Sequence, residues 1–179
     1  MTDSAGWTFS RRSTGLTGNN RPMSKTTRAT QVLSQAKITF TVHSYDYDPT
    51  AASIGLQAAE ALGEAPHRVL KTLMAEVDGK PVCVVVPSDH EVSMKKLASA
   101  FGGKAAHMMK PADAERLTGY HVGGISPFGQ KKAVPTAIEA AAMTEAYVYI
   151  NGGQRGLQVR LDPKDAAAVL KAKAAPLVA

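Results

Sequence analysis

Residues 123–132 read GGISPFGQKK, with three glycines and two lysines in ten positions, a composition suited to a backbone that closes around negative charge. Gly124 and Gly129 have the separation of the phosphate cradle GxxxxGK[ST]. However, Gln130 stands where its lysine belongs and Lys131 where its magnesium hydroxyl belongs, which argues against a P-loop nucleotide hydrolase. On local chemistry alone the stretch is a turn-rich connection, because Gly supplies positive φ and Pro pre-sets its own. Lys71 is a different kind of candidate. In VLKTLM it sits among Val69, Leu70, Leu73 and Met74, so its ammonium either snorkels to solvent or enters a pocket. Tyr45, ending an alternating run, reads as an amphipathic side chain at a strand edge.

The remaining reactive residues are less promising. Histidines at 43, 67, 90, 107 and 121 are scattered and form no HExxH pair, so no metal site is expected. Ser88-Asp89-His90 matches a triad by letters only, since adjacent residues do not converge on one bond. The single cysteine, Cys83, lies in PVCVVVP; it allows no intramolecular disulfide, fits a reducing cytoplasm, and reads as a small core residue.

These residues need elements to hold them. A helix is expected from Thr26 or Thr27 to before Lys37, then a strand in ITFTVHSYDY over 38–47 with Ile38, Phe40 and Val42 on one face. Ser53 can cap a second helix with Leu56, Ala59, Ala61 and Leu62 inward, and Gly63 can end it. Residues 70–77 and 81–87, joined by Asp78-Gly79, form a hairpin whose VCVVV strand is central and buried. Helices are expected in SMKKLASAF, ended by Gly102, and in PADAERL, begun by Pro111, with a short strand near AAHMM. YVYI and LQVRL are strands flanking NGGQRG, and DPKDAAAVLKAK closes the chain as a helix. Mingled helices and hairpins imply an α/β fold with a mixed, strongly curved sheet.

The chain of 179 residues suits one domain, and its 44% hydrophobic and 20% charged residues are globular values. No apolar stretch approaches the roughly 20 residues of a membrane span. The net charge of +6 favours a polyanionic partner. Residues 1–22 are polar, with Arg11, Arg12 and Arg21 but no apolar core, and read as a disordered tail rather than a signal; Met23 offers a later start.

Residues 23–179 resemble the YbaK family of aminoacyl-tRNA deacylases, related to the editing domain inserted in bacterial prolyl-tRNA synthetase. The resemblance rests on HSYDYDP from 43, RVLKTL from 68, TGYHVGGISPFGQKK from 118 and NGGQRGL from 151. It includes the family's lysine as Lys71 and its GxxxP signature as Gly123 to Pro127. The Cys-tRNA(Pro) deacylase branch carries a similar GGISPxGQKK. The resemblance implies one editing domain over 23–179, a barrel-like sheet surrounded by helices, and a cytoplasmic enzyme without metal or cofactor. Its partners would be aminoacyl-tRNA, most of all tRNA(Pro), and prolyl-tRNA synthetase. By the same resemblance Lys71, Gly123, Gly124 and Tyr45 are catalytic. Thr72, Ser126, Pro127, Asn151, Gly152, Gly153 and Gln158 bind substrate, and Lys131 and Lys132 contact phosphate.

Two departures bear on preference: Gln158 replaces an Asp common in the cysteinyl branch, and Asn151 stands where Ser is frequent. Removal of Ala or another small residue is therefore an alternative substrate, and a non-catalytic tRNA- or synthetase-binding module an alternative role. In the cysteinyl branch the substrate's own thiol attacks its ester, which accords with the lack of a convincing protein nucleophile in this chain.

Overall fold

The computed structural model describes residues 26–179; the proposed tail at 1–22, with Arg11, Arg12 and Arg21, lies outside the described residues. α1 (Arg28–Gln35) starts at Thr27, whose hydroxyl accepts from the Thr30 N–H while the Thr30 hydroxyl accepts from the Thr27 N–H, a reciprocal cap that satisfies two end donors. β1 (Phe40–Ser44) follows. α2 (Ile54–Leu62) runs from Ser53, which caps the Leu56 N–H, to Gly63 at φ 66°. Ala58 and Ala59 form its buried stripe, whereas Leu56 is 42% exposed and Ala61 is also exposed, so the expected inward face is rotated.

After a 3-10 turn at Pro66–Arg68, β2 (Leu70–Val77) and β3 (Lys80–Pro87) make the expected hairpin, with Asp78 at φ 49° and Gly79 at φ 80°. Two successive positive φ values give the turn whose twist matches its strands. The Asp78 carboxylate accepts from the Lys104 and Ala105 N–H groups and thereby anchors the hairpin tip. α3 (Met94–Ala100), β4 (Ala106–Met108) and α4 (Pro111–Thr118) come next. β5 (Thr136–Glu139), β6 (Val148–Asn151), β7 (Leu157–Leu161), α5 (Pro163–Leu170) and β8 (Lys173–Ala175) complete the order. The last helix is shorter than its sequence suggests. Lys171 turns left-handed at φ 50°, and KAA becomes a strand parallel to β5.

The strands form two sheets, β1-β7-β6 and β4-β2-β3-β5-β8. Neither closes, which corrects the expectation of one strongly curved, barrel-like sheet. Among the described residues a single parallel bridge, Val69 to Tyr149, joins them, directly after the turn at Pro66–Arg68. β3 is central as expected, with Val82 to Val86 at most 3% exposed. Each such valine contributes about 1.5–3 kcal/mol relative to exposure. One core lies between the sheets, around Phe128, Ile138, Ile150 and Val159; a second lies between the larger sheet and α3. No helix among the described residues is long and apolar enough to cross a membrane.

Candidate functional site

β2 pairs with β3 along its whole length, but on its other side it meets β4 only from Ala75 and β6 only at Val69. Between those points its edge has no strand partner, and a cavity of about 350 Å³ lies along the gap. Lys71, Thr72, Gly123, Asn151 and Gln158 all line it, so the two glycine-rich segments and the VLKTLM strand meet at one place. Its apolar wall comes from Leu73, Met74, Met108, Met109, Val122 and Ile125. Sequence reasoning missed this wall; the adjacent methionines at 108 and 109 were its one signal, since Met shapes itself to irregular apolar sites.

Lys71 enters the cavity with its side chain 21% exposed, and its Nζ lies 3.6 Å from Oε1 of Glu91, a carboxylate 90% exposed. Such an exposed pair is weak and easily exchanged for another anion. Thr72 Oγ1 and Gln158 Oε1 are buried and complete no hydrogen bond among the described residues. Each such group costs roughly 1–3 kcal/mol, a cost that a ligand supplying the missing partner would remove.

The glycine loop divides its work. Gly123 adopts φ +89°, and a Cβ there would come 2.5 Å from the Tyr47 hydroxyl. Its carbonyl accepts from Asn151 Nδ2 at 3.4 Å, while its N–H has no acceptor among the described residues. Gly124 is different: its N–H donates to His121 O at 2.8 Å, and a Cβ would come 2.7 Å from the Arg155 backbone nitrogen. Gly124 therefore supports the loop, and its N–H, expected as a charge-stabilising donor, is committed to His121 O here. Ser126 and Pro127 are buried and do not line the cavity; Ser126 Oγ accepts from the Phe128 N–H. Both brace the turn instead of touching a ligand there.

Asn151 ties the two loops together, its Oδ1 accepting from the Gly153 and Gln154 N–H groups while Nδ2 donates to Gly123 O and Gln154 O. Gly152 and Gly153 lie outside the cavity lining. A Cβ on Gly152 would press on Leu157, and one on Gly153, at φ +92°, on the Tyr120 ring. Tyr45 also stands behind the lining. Burial raises the pKa of its hydroxyl, partly offset by the Gln158 side chain beside it, although neither the Tyr45 hydroxyl nor Gln158 Oε1 completes a hydrogen bond among the described residues. Tyr45 thus stands beside Gln158 and packs against the cluster that includes Val69, both of which line the cavity. Lys131 and Lys132 are exposed beside Asp113, Arg116 and Leu117, away from the cavity wall.

The protein offers no activated nucleophile here. Burial pushes the Cys83 thiol up to about 12, so it remains protonated and inert at neutral pH. The Thr72 hydroxyl has no base partner, and the Ser53 hydroxyl is committed to capping α2. His90 pairs with Asp89 at 2.8 Å on the surface, while the Ser88 hydroxyl donates to Pro66 O, so the three adjacent residues form no triad.

A family profile described as aminoacyl-tRNA editing domain matches residues 48–169. A protein of Enterococcus faecalis, named EbsC as a candidate Cys-tRNA(Pro)/Cys-tRNA(Cys) deacylase, is 35% identical over 140 residues, covering 77% of this chain and 84% of that one. A proline–tRNA ligase of Geobacillus thermodenitrificans is 32% identical over 78 residues, covering 44% of this chain and 14% of the ligase. The crystal structure of a candidate trans-editing enzyme for prolyl tRNA synthetase superposes with a TM-score of 0.72 at 21% identity, covering 85% of this chain and 95% of that one. The matched profile spans the lysine strand, the glycine loop and the Asn151 turn that together build the cavity, and the chain belongs to the aminoacyl-tRNA editing domain family.

Proposed function

We propose that this aminoacyl-tRNA deacylase acts in trans on Cys-tRNA(Pro) and lets the substrate do the chemistry. The observation that carries the reading is a cavity with a cation, two orphaned polar atoms and a free backbone N–H, but no activated protein nucleophile. The thiol sulfur of the bound cysteinyl group attacks its own ester carbonyl. The C–S bond forms, the C–O bond to the terminal ribose breaks, and the ribose oxygen leaves as a hydroxyl with the thiol's proton. A cyclic thiolactone and free tRNA result. An intramolecular attack needs mainly the right conformation. In this reading Lys71 holds the ester end by charge, the Gly123 N–H faces the carbonyl oxygen as it gains negative charge, and Thr72, Asn151 and Gln158 orient the aminoacyl group. Tyr45 acts on Gln158 from behind. Lys131 and Lys132 contact phosphate farther along the tRNA, positioning rather than specifying it. Prolyl-tRNA synthetase is the natural source of the mischarged substrate.

A second reading, removal of alanine or another small residue, is favoured by Gln158, a neutral amide where the cysteinyl branch commonly has a carboxylate. Deacylation of Cys-, Ala-, Ser- and Pro-charged tRNA(Pro) separates the two. The thiol mechanism requires the Cys substrate to be cleaved much faster than Ser, which differs in one atom. Equal Cys and Ser rates, or a covalent aminoacyl-protein, would overturn it. Lys71→Ala is expected to lower kcat/KM at least about 100-fold without changing the melting temperature, and Lys71→Arg to restore it only in part. A variant that binds charged tRNA as the wild type does, with a wild type that turns nothing over, would instead indicate a binding module.

A further inference from the structure

Arg155 of the NGGQRG turn has no part in the reaction described above, yet it is held at the rim of the cavity. Its Nε donates to the carbonyl of Val122 at 2.9 Å, and Val122, 41% exposed, lines the cavity. Its guanidinium carbon lies 5.5 Å from the centroid of the Tyr47 ring. The Tyr47 hydroxyl stands over Gly123, and the Tyr47 Cβ packs at Gly156. Arg155 is exposed, and no carboxylate among the described residues pairs with it; Asp46 shares the neighbouring depression without an ion pair, and Asp48 turns to the Thr50 N–H and hydroxyl. The two terminal amino groups of the guanidinium are therefore oriented by Nε and by the ring but bond to nothing else in the described chain.

This arrangement has the chemistry of a nucleotide seat. A fixed guanidinium offers a bidentate fork to a phosphate, and an aromatic ring under an arginine plane accepts an unstacked base. We propose that Arg155 and Tyr47 bind the last internucleotide phosphate and the adjacent base of the single-stranded 3′ end whose terminal ribose carries the ester. The proposal rests on the reading that the cavity receives an aminoacylated tRNA end. Gly123 is then glycine for a further reason: a side chain there would push the Tyr47 hydroxyl out of register.

The test is equilibrium binding of an uncharged acceptor-stem hairpin with a single-stranded CCA end, followed over a salt series, alongside deacylation kinetics of the charged hairpin. Arg155→Ala is expected to weaken binding about 10-fold and to reduce the slope of log K against log salt by about 0.7, the share of one single-strand phosphate. Arg155→Lys keeps most of that slope and Arg155→Gln does not. Tyr47→Leu weakens binding by about 5- to 160-fold, the range for one stacked base, with the salt slope unchanged. In kinetics the effects fall on KM, with kcat within about 2-fold. Unchanged affinity and slope in Arg155→Ala would overturn the proposal. So would equal losses on aminoacyl-adenosine, which lacks the phosphate, because the residue would then act through the loop's shape. A wild type that binds the hairpin but deacylates nothing would count against the deacylase reading alone.

Discussion

The two glycine-rich loops, 123–129 and 151–156, look alike in sequence and do opposite work. In the first, Gly123 lines the cavity with a φ of +89° and an N–H that has no acceptor among the described residues, and its missing side chain leaves room for the Tyr47 hydroxyl. In the second, Gly152 and Gly153 close a gap, letting the turn press against Leu157, Val159, Tyr120 and Ala29. Gly124 belongs to the first loop by sequence and to the second by function, since it is where the backbones touch. A glycine next to a cavity thus does not announce ligand contact; what matters is whether its N–H is committed and whether its absent Cβ would meet the movable end of a side chain or backbone.

The strongest way to break this distinction is Gly124→Ala. The new methyl would meet the backbone of Gln154 and Arg155 at 2.7–2.9 Å, where nothing can swing aside, so a destabilisation of about 3 kcal/mol is expected, with turnover lost at any temperature. Thermal unfolding and deacylation at saturating substrate measure both. Asn151→Ala should cost about 2 kcal/mol, because the Gly153 and Gln154 N–H groups lose their acceptor. Asn151→Asp sharpens the comparison: it keeps that acceptor but removes the donor to Gly123 O, so stability should largely survive while kcat/KM falls. Gly123→Ala should cost about 1–2 kcal/mol of stability, because φ +89° strains a side chain while the nearest obstacle is only the movable end of Tyr47, but lower kcat/KM more than about 10-fold. If Gly123→Ala and Gly124→Ala unfold alike, the division between the loops is wrong.

The smallest effect is one of pH. Burial, and then the nearby Arg160, lower the pKa of His43, with Glu64 opposing. The folded protein therefore takes up this proton less readily than the unfolded chain. The contribution of His43 is complete above about 6.5, the ordinary value, and is lost as pH falls from there through the lower folded value. Denaturant titrations should show stability declining on mild acidification, and less so in His43→Gln; an identical decline in that variant would contradict the assignment.

Much of the architecture was legible because local chemistry dictated it. Asp78-Gly79 has few alternatives to a tight hairpin turn, Ser53 and Gly63 bound α2, and an unbroken VCVVV run suits only a strand covered on both faces. β5 was not legible: TAIE is four residues with no alternation, and it is a strand only because β3 and β8 flank it. The open, two-sheet arrangement was hidden for the same reason, since β1 pairs with the sequence-distant β7. At the site, Lys71 stood out as a charge in an apolar run. The apolar wall did not, because Met108 and Val122 are ordinary residues until the gap in β2 gives them a cavity to line. The place of Tyr45 behind the cavity lining was not legible either, because a motif records that a residue matters without recording at what depth.

The central position of β3 has a consequence for how this chain is made. One flank of its valine run is covered at once by β2, but the other waits for β5, beyond α4 and the whole glycine loop, and β5 in turn waits for β8. A ribosome building the chain from its amino end therefore releases a bare, β-branched edge well before the segment that shields it. Parallel pairings of this kind close slowly and expose sticky intermediates. The lysine strand β2 is the other half of that early hairpin, so Lys71 is made before Met108, Gly123, Asn151 and Gln158, which line the cavity with it.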